Sequence, residues 1–226
     1  MRKLSMLGAV LAFTALFLFG NSAAFAAPAG EQTDLLNRAA TTAQHMQQDP
    51  AFERARAMLR QAKGVLIVPS LVKGGFIFGA EGGNGVLLQR NGNGWSAPAF
   101  YTLASASFGF QAGLEQAEVV MLIMSDRALE AVKRSEFKVG AGGGITVVTL
   151  SAGAEAATAP NLSGDIIVWS SATGVYGGLT LNGSIIKARD EWNSAFYGRP
   201  ASVTDILADR VRNPQADRLR QQLASL

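Results

Sequence analysis

From Lys63 to Ala188 the chain repeats one pattern, a short aliphatic or aromatic run broken by glycine. Gly64–Val68, Gly75–Gly79, Gly85–Gln89, Ala99–Gln111, Ala117–Met124, Ile145–Leu150, Asp165–Trp169, Gly174–Leu181 and Ser184–Ala188 all read this way. Glycine weakens a strand interior, because it packs nothing and loses the most freedom on ordering. Its repeated use is explained where strands bend sharply or backbones approach closely, so the pattern points to a strongly curved antiparallel sheet or a partly closed barrel.

Helical grammar surrounds this β region. Glu31–Gln48 is rich in Ala, Leu and Gln with no Gly or Pro, Asp49-Pro50 stops it, and a second helix is expected over Pro50–Ala62. Ser125–Arg134 forms one internal helix with a capping Ser125, and Arg189–Phe196, Ser202–Arg212 and Pro214–Leu226 close the chain. Asn91–Gly94 is a hairpin turn signal. With no regular βαβ alternation, the fold class is α+β, a curved Gly-rich sheet flanked by N- and C-terminal helices. The rival for an exported β-rich chain, an outer-membrane barrel, calls for strand after strand with aromatic girdles, and the interleaved helices argue against it.

The first 26 residues read as an export signal. Met1, Arg2 and Lys3 are a basic start, Leu4–Phe19 is an apolar run shorter than the ~20 residues of a spanning helix, and Ala24-Phe25-Ala26 is a small-x-small cleavage site. Residues 27–50 are then an N-terminal helical segment and 51–226 a single domain, delivered to the periplasm. Without Arg2 and Lys3 the chain carries 18 basic and 17 acidic residues, a net charge of +1 that is no footprint for nucleic acid. Cysteine is absent, so stability rests on packing.

Enzyme chemistry finds little support. His45 is the single histidine and reads as an ordinary surface residue. There is no Gly-x-Ser-x-Gly elbow, and Gly140–Gly144 leads into β-type sequence rather than the helix that a phosphate loop opens. Glu81, Glu115, Glu118, Glu155 and Asp165 are scattered without metal-ligand spacing. No catalytic residue, metal or cofactor is expected.

Two constellations suit a lipid surface. On a wheel of Pro50–Lys63, the residues Phe52, Ala55, Met58, Leu59 and Ala62 form an apolar stripe bordered by Arg56, Arg60 and Lys63. Cations beside an apolar stripe dock on anionic lipid by snorkelling to phosphates, whereas a core-packed helix would merely solvate them. Pro69–Lys73 reads as a tip between two strands, presenting Leu71 and Val72 beside Lys73 for insertion, or folding them back as a plug. Phe76, Phe78, Phe108 and Phe110 form i,i+2 pairs, read as core or as the lining of an acyl-chain cavity.

Five segments in order, Ala62–Gly79 (AKGVLIVPSLVKGGFIFG), Gly82–Val86 (GGNGV), Trp95–Pro98 (WSAP), Phe108–Gly113 (FGFQAG) and Tyr176–Ser184 (YGGLTLNGS), closely resemble the SYLF domain family over roughly Ala51–Ala208. The resemblance implies a non-enzymatic lipid-binding module. The family includes eukaryotic phosphoinositide binders, some linked to actin, and exported bacterial lipid binders. The expected partner is therefore an anionic phospholipid or membrane surface, met through Arg56, Arg60, Lys63, Leu71, Val72 and Lys73. The competing reading is a cell-envelope structural or adaptor protein that recruits a protein partner.

The export signal generates a first test. Protein recovered from the periplasm should begin at Ala27 or within a residue or two of it; intact-mass analysis finding Met1 retained would contradict the signal.

Overall fold

The computed structural model describes residues 29–48, 53–75, 78–108, 113–134, 136–139, 144–150, 164–171 and 183–226. The export signal, Phe76, Phe110, Gly140–Gly143 and the expected Gly174–Leu181 strand lie outside these, as do the side chains of Phe52, Ala55, Phe78 and Phe108.

Helices α1 (Ala29–Gln48) and α2 (Glu53–Gln61) precede strands β1 (Gly64–Gly75), β2 (Phe78–Asn91), β3 (Gly94–Trp95), β4 (Ala99–Phe108) and β5 (Gly113–Ile123). Helix α3 (Asp126–Val132) leads to β6 (Glu136–Lys138), β7 (Val147–Leu150), β8 (Ile166–Ser170) and β9 (Ile185–Ala188). Helices α4 (Asp190–Tyr197) and α5 (Val203–Leu207), a 3-10 turn (Pro214–Ala216) and α6 (Asp217–Ala224) finish the chain. The sheet runs β6-β9-β4-β2-β1-β5-β8-β7, with β3 paired to β2. All pairs are antiparallel except β7 with β8, which are parallel, a departure from the all-antiparallel expectation.

Several local expectations take shape as read. Gly92 turns the β2–β3 hairpin at φ 58°, and Ser125 caps α3 by accepting from the Ala128 N–H. The expected Gly75–Gly79 strand is not one: Gly75 ends β1, Phe78 and Gly79 begin β2, and Gly75 pairs with Gly79; Gly85–Gln89 belongs to a longer strand. β1 has 12 residues and β2 has 14.

The sheet is strongly curled, a half-barrel, and one contact set explains which face is inside. Helix α3 touches both β5 and β6, which stand five strand steps apart in the sheet. In a flat sheet that separation is roughly 24 Å, against a helix length of about 10 Å for seven residues. The sheet must therefore wrap around α3. Leu66, Val68, Leu71, Leu87, Tyr101, Leu103, Val119 and Met121 line this inner face with α3 and with Val203, Ile206 and Leu207 of the α5 region. Val65, Ile67, Val86, Leu88, Phe100, Val120, Leu122 and Trp169 face outward and are covered by α1, α2, α4 and α6. Gly64–Val68 is buried on both faces, which is why it reads as an unbroken apolar run. The first and last described helices meet on the outer layer. Helix α1 packs along α6, with Gln44 donating to Gln222, Thr33 to Gln215 and Arg218 to Asn37.

Curling puts one strand hard against another at a bulge. Pro69 and Ser70 of β1 together oppose the single residue Glu118 of β5, and the β1–β2 register shifts at the same place. A bulge tolerates proline inside a central strand. On β2, a Cβ at Gly83 would stand 2.4 Å from the Ser70 carbonyl oxygen, and one at Gly85 2.7 Å from that of Ile67. Gly83→Ala should therefore destabilise the domain by about 1–3 kcal/mol. Gly30→Ala, in α1 with nothing within 4 Å, should be neutral or stabilise by up to about 1 kcal/mol. Urea unfolding of the two variants checks the contrast.

Candidate functional site

Helix α2 is amphipathic as expected, but the described part of its apolar side belongs to the core. Leu59 and Ala62 are 1% exposed, and Met58 packs on the same outer cluster. These three described members of the stripe are used for packing and are not offered to a bilayer. Arg60 points to solvent, and Lys63 is half exposed; the Arg56 side chain lies outside the described residues. Lys63 stands 3.7 Å from Asp126, an exposed pair of little energetic weight.

The edge bearing Arg60 and Lys63 is held rigidly by a residue that the sequence reading passed over. The Arg90 guanidinium donates to the Leu59 carbonyl at 2.5 Å and the Ala62 carbonyl at 3.5 Å, and it stacks 3.9 Å over the Trp95 ring. A cation on the final carbonyls of a helix satisfies acceptors that have no partner within it. Lys63 itself donates its N–H to Ile123 O, and its carbonyl accepts from Arg90 N–H. Burial alone pulls the Arg90 pKa below the ordinary arginine value.

Pro69–Lys73 is not a tip, and this corrects the expectation. The segment lies within β1, between β2 and β5, at the bulge. Leu71 is 3% exposed in the inner core, whereas Val72, on the outer face, is 38% exposed. Lys73 turns inward with Leu71 and pairs with Glu81 at 2.9 Å, where the Glu81 side chain is 4% exposed. Lys63 and Lys73 bracket most of β1, about 30 Å of extended chain. The structure thus keeps Arg60 with Lys63, and separates both from Leu71, Val72 and Lys73.

The remaining titratable groups have structural partners. His45 is more than an ordinary surface residue: its Nδ1 lies 3.0 and 3.1 Å from the two Glu118 oxygens, and Thr42 Oγ1 donates to Glu118 at 2.6 Å, docking α1 onto β5. Asp165 accepts from Ser125 Oγ at 2.5 Å, from Thr146 N–H at 2.9 Å and from Arg127 at 2.9 Å. The Ser125 bond, followed by the Thr146 amide, holds its carboxyl below the usual range. Burial raises the Tyr101 and Tyr197 hydroxyl pKa values well above the ordinary tyrosine value, and the two hydroxyls donate to Val132 O and Pro98 O. Among the described residues no three His, Cys, Asp or Glu gather to hold a metal, and no helix is long and apolar enough to cross a membrane.

The described residues thus form a half-barrel wrapped around a short helix. Residues 104–226 match the sequence model of the Ysc84 family, described as Las17-binding protein actin regulator. The chain is 34% identical over 178 residues to the SH3 domain-containing YSC84-like protein 1 of Bos taurus, covering 74% of this chain and 50% of that protein. It is 33% identical over 172 residues to the human protein of that name, with the same coverage, and 34% identical over 165 residues to Protein YSC84 of Saccharomyces cerevisiae, covering 70% and 35%. The chain belongs to the Ysc84, or SYLF domain, family. It spans about half the length of these mammalian relatives and about a third of the yeast one.

If Arg90 anchors α2, Arg90→Met should lower stability by about 2 kcal/mol, through loss of charged hydrogen bonds to two carbonyls. Denaturant unfolding measures this, and an unchanged midpoint would remove Arg90 from that role.

Proposed function

We propose that this is an exported, non-enzymatic domain that docks on anionic phospholipid headgroups through the basic edge of α2, Arg56, Arg60 and Lys63. The observation that carries the reading is the division of labour on α2. Leu59 and Ala62 of its apolar side are spent on the core while Arg60 and Lys63 face outward, and Arg90 fixes their backbone. Such an edge binds by charge, without inserting a hydrophobic face. Leu71 is no longer part of the docking set, and Lys73 is engaged elsewhere. A second reading rests on the relatives: one from yeast is named LAS seventeen-binding protein 3, which favours a protein partner in the cell envelope.

Each basic side chain near an anionic surface contributes on the order of 1 kcal/mol, screened within a Debye length. Replacing Arg56, Arg60 and Lys63 together by Gln should weaken binding to phosphatidylglycerol vesicles about a hundredfold at low salt. Circular dichroism should be unchanged, since exposed substitutions usually cost within ~0.5 kcal/mol each. Co-sedimentation at low and high salt decides. Equal binding by parent and variant would exclude this edge, and indifference to lipid together with capture of a specific envelope protein would favour the second reading.

A further inference from the structure

The Lys73–Glu81 pair occupies the inner face of the sheet, beyond the apolar layer of Leu71 and Leu103. The register sets four residues in one row across neighbouring strands, Ser105, Glu81, Lys73 and Glu115. The next row along the same face is Ser107, Gly79, Gly75 and Gly113. A charged row is thus followed by a floor in which three adjacent strands carry no side chain.

Glu81 is the unusual member. It is 5% exposed, its Oε1 pairs with Lys73 Nζ at 2.9 Å, and its buried Oε2 has no hydrogen-bond partner. A buried ion pair is often no more stabilising than apolar residues of the same size, and a buried oxygen without a donor is a net cost. Stability therefore gives no reason for this arrangement. A donor arriving from outside the chain would satisfy it. The acceptor is a carboxylate oxygen, so a cationic donor is favoured over a hydroxyl, because charge-assisted hydrogen bonds are the stronger kind.

We infer that the glycine-floored inner face beside Glu81 binds a primary ammonium group, which donates to Glu81 Oε2. The ammonium can belong to a phospholipid headgroup or to a free small amine, and the site is distinct from the α2 edge, at the other end of β1.

The purified protein is titrated with glycerophosphoethanolamine, ethanolamine and glycerophosphoglycerol, following backbone amide signals of Lys73, Gly75, Gly79 and Glu81 by NMR. Both amines are expected to shift these signals at concentrations at least tenfold below any effect of glycerophosphoglycerol. Tighter binding of glycerophosphoethanolamine than of ethanolamine identifies a headgroup site, and equal binding a free-amine site. No preference for the amines overturns the inference. Glu81→Gln should abolish the preference, and because a half-broken buried pair can unfold the domain, the double variant Lys73→Met/Glu81→Leu is the companion. It should fold with an unchanged or raised thermal midpoint and lose the amine preference; retaining the preference overturns the inference. Its sedimentation with phosphatidylglycerol vesicles reports on α2 and should match the parent, so the failure of one site is distinguishable from the failure of the other.

Discussion

Side chains on the inside of a curled sheet converge on the same space, and the architecture depends on how that crowding is relieved. Here the relief is local. The extra residue at Pro69-Ser70 presses β1 toward β2, and Gly83 and Gly85 give way because they have no Cβ to collide. That close approach lets long strands continue past the bulge while the sheet wraps around α3. One sheet then serves two cores, an inner one closed by α3 and the α5 region and an outer one closed by four helices.

The functional reading follows from the outer core. Leu59 and Ala62 are committed to packing while Arg60 faces outward, and the orientation of α2 is fixed by Arg90 bridging from the β2–β3 hairpin, where Trp95 supports the guanidinium.

Much of this was legible in the chain, for physical reasons that differ by element. Backbone signals were local and readable: Ser125 at a helix start, Gly92 in a turn, the two-sided apolar run of Gly64–Val68. Pro69 misled, because a proline between apolar residues reads as a break, and only the pairing of β1 with both neighbours turns that break into a bulge. Residues joined across long separations were illegible for the same reason. Glu118 meets His45 and Thr42 from 73 and 76 positions away, and Asp209, with φ at 56°, takes the Ala97 amide from 112 away. The Arg60–Lys63 edge was found from helical periodicity, which is local. The misplaced part of the candidate site, Leu71 to Lys73, depended on sheet register, which is not.

The contact of α1 with α6 places the first and last described helices side by side on the outer layer. A segment joined to either end departs from that layer, opposite the hollow that holds α3. In a longer protein built on this domain, additional modules would share one side as a common mooring, and the curled face would stay clear of its own tethers.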